Sequence, residues 1–156
     1  MKRTIGRAVA GLVVAAVLAA CGCGGNQPPD TISQVALRGR EVILVANQAL
    51  GAVDTLLTAN LIPREDGLVA IKVIKGVGEA GEELAGYLDL ANRAKEPAAL
   101  RDALVKAGET IQRIQRLLAS GLVPIGSQAA RKQIGDILGT ISQAVTQVAL
   151  LMPAPA

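Results

Sequence analysis

Leu56-Leu57-Thr58-Ala59-Asn60-Leu61-Ile62-Pro63 and, 61 residues later, Leu117-Leu118-Ala119-Ser120-Gly121-Leu122-Val123-Pro124 decide how this chain folds. Each octapeptide reads as a helix stop. Two leucines close an apolar stripe, and Asn60 or Gly121 suits the left-handed residue just past a helix. Leu61 or Leu122 then folds back onto the last turn, and a proline forbids continuation. Glu65 and Asp66 follow the first stop, where acids favour the start of a new helix. Ser127 follows the second as an N-cap.

Working outward from the stops, apolar residues recur with helical period. Ile32, Val35, Val42, Ile43, Ala46, Leu50, Val53 and Leu57 share one face before the first stop, and Ala70, Val73, Ile74, Val77, Gly81, Leu84, Leu88 and Ala91 share one after it. Leu100, Leu104, Ala107, Ile111, Ile114 and Leu118 lead into the second stop, and Ala130, Ile134, Ile137, Leu138, Ile141, Val145, Val148 and Met152 follow it. Charged or amide residues lie opposite each stripe, as a core-facing helix requires. Pro97 opens the third helix at a position where its missing N–H costs nothing.

The pattern predicts an all-α fold with helices at about 31–60, 64–94, 97–120 and 126–152. Short connections make successive helices antiparallel, giving an up-down-up-down four-helix bundle over 31–152. An offset of 61 pairs Ala46, Leu50 and Val53 with Ala107, Ile111 and Ile114. It also pairs Val73, Val77 and Leu84 with Ile134, Leu138 and Val145. This reads as a duplicated αα-hairpin, with convergent helix punctuation as the plainer alternative. Gly135 and Gly139 form a G-x-x-x-G pair, expected to serve helix packing. Residues 153–156 read as a disordered tail.

A different grammar governs residues 1–30. Lys2, Arg3 and Arg7 precede an apolar run from Ala8 to Ala20, which ends in Leu18-Ala19-Ala20-Cys21. The run is short of the roughly 20 residues a membrane span needs, and it reads as a secretory signal peptide over 1–20. Residues 21–30 contain Gly22, Gly24, Gly25, Pro28 and Pro29 and no apolar period, and read as a flexible tether.

Leu18-Ala19-Ala20-Cys21 resembles the lipobox of bacterial lipoproteins. The resemblance implies cleavage between Ala20 and Cys21, a diacylglyceryl group on the Cys21 thiol and N-acylation of the new terminus. Two or more acyl chains give a stable membrane anchor where one gives a marginal one. No other cofactor is expected. Gly22 stands where an aspartate commonly retains such proteins in the inner membrane. The resemblance therefore implies the periplasmic face of the outer membrane where the cell has one, and otherwise the outer face of the plasma membrane. The layout of leader, lipobox, tether and small Ala-rich helical domain is similar to that of small lipoproteins carried by bacterial and phage genomes.

Composition then excludes several functions. The formal charge of +3 belongs to the leader: without Lys2, Arg3 and Arg7, 13 basic side chains face 13 acidic ones. Attraction to nucleic acid through general charge is unsupported. The chain has no His, Trp or Phe and one Tyr. His-containing zinc sites, His-dependent triads and base stacking on aromatic platforms are excluded with them. No catalytic residue and no metal ligand is assigned. An acylated Cys21 leaves Cys23 without an intrachain disulfide partner, so packing alone must hold the fold.

Three surface features remain. Arg113, Arg116, Arg131 and Lys132 flank the turn between the third and fourth helices, with Glu109 and Asp136 as the nearest acids in sequence. They form a candidate contact for an anionic envelope polymer or an acidic protein, or simply a solvated bundle end. Leu37 and Leu44 lie off the main stripe, seven residues apart, as a candidate apolar strip for a partner or a homo-oligomer. Glu79, Glu82 and Glu83 share an outer face with Lys72 and Lys75. They read as a solvated salt-bridge face in which Lys75 and Glu79 have helix-supporting spacing. Tyr87 reads as a boundary residue.

The function expected is that of a non-enzymatic, lipid-anchored envelope module acting through protein or polymer contact. The alternative is a membrane-active protein, and the remaining class is an enzyme lacking any recognisable site. The segment Gly67–Lys75 is basic and apolar, like part of a lytic helix, although the three glutamates interrupt it.

Overall fold

A computed structural model describes residues 31–152, and all four elements in them are α-helices: α1 (Thr31–Thr58), α2 (Arg64–Arg93), α3 (Pro97–Gly121) and α4 (Gln128–Leu151). Their ends fall within two residues of the sequence expectation. The leader, the tether, Ala20, Cys21 and residues 153–156 lie outside the described residues.

Every residue of the four apolar stripes is buried or half-buried, and none is exposed. The largest fully buried side chains are aliphatic: Ile74, Leu84, Leu88, Ile114, Ile125, Ile134 and Ile141. α1 packs on α2, and α2 on α3, over many residues. α4 packs chiefly on α1 and meets α3 and α2 over far fewer. Contacts between α1 and α2 run in opposing numerical order. Leu57 lies against Gly67, Ile43 against Gly81 and Leu88 against Gly39, while Ser33 hydrogen-bonds Asn92 at 2.9 Å.

The two stops are built differently. At the first, Asn60 adopts φ 53°, the Asn60 N–H donates to the Leu57 carbonyl and the Leu61 N–H to the Leu56 carbonyl. Those are the paired bonds of a Schellman ending. Leu61 nevertheless remains exposed, and the next residue, Ile62, is the one buried. At the second stop, Gly121 is not a left-handed cap but the last residue of α3, and Leu122 follows in right-handed geometry. Gly121 is needed for proximity. A Cβ there would stand 2.8 Å from Val73 Cγ1 and 3.3 Å from Leu138 Cδ1, so α2, α3 and α4 meet at this point. The chain then leaves through weak turns, with the Val123 N–H reaching the Ser120 carbonyl at 3.3 Å, and buries Ile125 beyond the proline.

Glycine thus serves close approach, but not where the G-x-x-x-G spacing placed it. Gly135 makes an ordinary contact with Leu122, and a Cβ at Gly139 would meet nothing within 4 Å. The tight sites are Gly39 against Leu88, Gly67 against Leu57, and Gly121 against Val73. Gly51 and Gly86 face open space. Gly51→Ala and Gly86→Ala are expected to raise stability by about 0.5–1 kcal/mol each, the helix-propensity gain over glycine. Gly67→Ala and Gly121→Ala should lower it by about 1–2 kcal/mol, because overpacking outweighs that gain. Urea midpoints of the four variants check the division.

Candidate functional site

Two polar constellations stand out, one at the α2 and α4 starts and one along the outer side of α2 and α3. Asp66 organises the first. It sits in the first turn of α2, is 7% exposed, and reaches the loop before α4. Its Oδ1 accepts the Gly126 N–H at 2.9 Å and its Oδ2 accepts the Ser127 N–H at 3.1 Å. Ser127 Oγ in turn caps α4 by accepting the Ala130 N–H at 3.3 Å. Arg131 Nη2 donates to the Ile125 carbonyl at 2.7 Å. One carboxylate therefore fixes the start of α4 to the start of α2, and one guanidinium closes the same loop from the other side.

This changes the reading of the basic patch. Of its four cations, Arg131 is spent on the loop backbone, and Arg113 pairs through Nη2 with Glu83 Oε2 across α2 and α3. Glu83, from a different helix, is thus the acid closest to Arg113. Arg116 Nε reaches only its own helix, at the Gln112 carbonyl, and Lys132 is exposed. All four residues are exposed, and Arg116 and Lys132 are the two not engaged with another element.

Glu83 and Arg113 also border the second constellation, an open surface cavity of about 460 Å³ lined by Tyr87, Lys106, Glu109 and Arg116 among others. Lys106 Nζ stands 5.8 Å from the centre of the Tyr87 ring, within cation–π range. Tyr87 is half-buried against the core, the boundary position its sequence context implies. The ion pairs among the described residues are Arg38–Glu41, Arg40–Asp89 and Arg113–Glu83, so Glu83 supports α3 and Lys75–Glu79 is not a bridge. Among the described residues no three potential metal-ligating side chains converge.

Leu37 and Leu44 are 63% and 60% exposed on α1. In the Gly67–Lys75 segment, Gly67, Ala70 and Ile74 are buried in the bundle and Lys72 and Lys75 exposed, the division of an ordinary core helix. Sequence reasoning overlooked two other segments. α1 and α4 are each long and apolar enough to cross a membrane, a property that buried core helices share. No protein family, no curated protein and no solved structure matches the chain.

Asp66→Ala removes two hydrogen bonds to a charged acceptor and should destabilise the fold by about 2 kcal/mol, with Asp66→Asn less severe. Arg113→Ala, which breaks an exposed pair, should cost under about 1 kcal/mol. Thermal and urea unfolding of the three variants should reproduce that ranking.

Proposed function

We propose that this protein is a lipid-anchored, non-enzymatic helical module of the bacterial cell envelope. The observation that carries the reading is the sequence Leu18-Ala19-Ala20-Cys21 behind a basic and then apolar leader. Acyl chains on Cys21 hold the domain at a membrane, and the Gly- and Pro-rich residues 22–30 separate it from the lipid. Cleavage falls between Ala20 and Cys21. The location is the periplasmic face of an outer membrane, or the outer face of the plasma membrane in a cell with one membrane.

The domain is read as an up-down-up-down bundle of two related hairpins. The opposed order of the α1–α2 contacts supports this, and so do Tyr87 opposite Lys106, Glu83 opposite Arg113 and Val73 opposite Gly121 between α2 and α3. The 61-residue offset superposes Val53 on Ile114 and Val77 on Leu138, all buried. It also superposes Asp66 on Ser127, residues at the start of the second helix of each hairpin that bond each other.

Binding rather than catalysis suits the available chemistry. A chain without histidine offers Ser, Lys, Asp and Glu, and the carboxylates Glu83 and Asp89 of α2 are held in ion pairs with Arg113 and Arg40. Arg116 and Lys132 lie near the α3–α4 turn, at the end away from the tether in such a bundle. They present positive charge to an anionic envelope polymer or an acidic protein. Arg116→Glu combined with Lys132→Glu should weaken co-sedimentation with purified anionic wall polymer while leaving helicity unchanged.

A membrane-active protein is the second reading, favoured by the length and apolarity of α1 and α4. Mass spectrometry of the mature N-terminus from native-host membranes should find Cys21 carrying diacylglycerol. A bare thiol overturns the anchor. Vesicles bearing the intact lipoprotein should retain an entrapped dye, whereas rapid leakage establishes the second reading over the first.

A further inference from the structure

Charge is divided unequally among the helices. α1 holds Arg38, Arg40, Glu41 and Asp54, and α4 holds Arg131, Lys132 and Asp136; α2 holds ten charged side chains and α3 six. Several of the few on α1 and α4 are committed. Arg38 pairs with Glu41 at 2.7 Å, Arg40 crosses to Asp89 of α2 at 2.7 Å, and Arg131 is turned onto the Ile125 carbonyl. The stretches Val42–Val53 and Ile137–Leu151 contain no charged residue at all.

Core burial does not account for this. Only 28% of the most apolar window of either helix is buried. Leu37 and Leu44 stand exposed two turns apart on α1, and Leu150 is 79% exposed on α4. Exposed Arg40 and half-buried Glu41 lie between Leu37 and Leu44, both in ion pairs, while the exposed residues beyond Leu44 and around Leu150 include the amides and hydroxyls Gln48, Gln143, Thr146 and Gln147. α1 and α4 also pack against each other, so the uncharged stretches Val42–Val53 and Ile137–Leu151 lie on adjacent helices.

We propose that the α1–α4 side of the bundle lies on the lipid surface, with Leu37, Leu44 and Leu150 at the boundary between headgroups and acyl chains. The charged α2–α3 side then faces water. The inference rests on the lipid-anchor reading. The chain from Cys21 enters the described domain at Thr31, the first residue of α1, after ten peptide links that span at most about 35 Å. The first turn of α1 is therefore the part of the described domain held nearest the membrane. A tether of that length keeps the local concentration of the surface in the millimolar range, so three partly inserted leucines suffice where they would not recruit a free protein.

A second copy of the chain fits this surface less well. A stable protein interface needs on the order of 1,000 Å² with a dry apolar centre. Here Leu37 and Leu44 are separated by Arg40 and Glu41, and Leu150 neighbours Gln143, Thr146 and Gln147, polar groups that would lose water without assigned partners. The headgroup region accepts leucines one at a time and leaves amides hydrated.

The absence of Trp makes the test direct. Leu44→Trp, Leu150→Trp and, on α3, Val105→Trp are each introduced into the full lipoprotein, which is reconstituted into phosphatidylethanolamine–phosphatidylglycerol vesicles with or without brominated acyl chains. Tryptophans replacing Leu44 and Leu150 should emit further to the blue and be quenched by bromine several-fold more than that replacing Val105. Equal quenching at all three positions overturns the proposal, as does none at any. A blue shift without quenching assigns the face to a second copy and overturns it too. The mass of the N-terminal peptide separates the two levels: acylated Cys21 with unquenched tryptophans defeats this orientation alone, whereas a free thiol defeats the anchor as well.

Discussion

A core without Phe or Trp excludes water only if its helices come close together. Valine, isoleucine and alanine are short, and at ordinary interhelical distances of 8–10 Å they leave gaps unless backbones approach at selected points. Gly39, Gly67 and Gly121 are those points, each set against a branched aliphatic side chain of another helix. Gly121 matters most for topology, because Val73 of α2 and Leu138 of α4 both crowd the space above its Cα. The second stop is thus fixed by contact with two other helices rather than by a local cap.

Close aliphatic packing brings helices together without fixing their ends, since apolar contacts are non-directional. Directional bonds supply that constraint here. The two carboxylate oxygens of Asp66 hold successive N–H groups 60 and 61 residues away, and Arg131 holds the carbonyl of the fully buried Ile125. The loop between α3 and α4 is thereby secured on two sides, which compensates for the sparse contact between those helices farther along. Arg131 remains exposed while one of its N–H groups is committed to that carbonyl.

The helices and their buried faces were legible in the sequence because periodicity records burial directly: all thirty stripe residues are at least half-buried. Asn60 was legible because few residues other than Asn and Gly take positive φ readily. Gly121 was misread because glycine serves left-handed caps and close contacts alike, and only the position of Val73 distinguishes them. Asp66 looked like a residue placed for the helix dipole; its bonds to Gly126 and Ser127 depend on long-range alignment that no local spacing encodes. The Arg113–Glu83 pair was missed for the same reason, since outer-face register between α2 and α3 is set by the packing beneath it. Cys21 and Ala20 were read from motif alone and stand outside the described residues.

The same packing logic bears on how the two readings of function compete. Lytic helices act by exposing an apolar face to lipid, and in this bundle the apolar faces of α1 and α4 are buried in one core with Ile74, Leu84 and Ile114. Releasing α4 would uncover Ile134, Leu138, Ile141, Val145 and Val148, and would break the Asp66 and Ser127 bonds at its start. Burying such side chains stabilises by about 1.5–3 kcal/mol each, so full release from the bundle is a costly step unless lipid replaces every lost contact. Peripheral contact through already exposed leucines requires no such opening. If Cys21 is acylated as proposed, such contact would leave the core intact, whereas unfolding into the membrane would not.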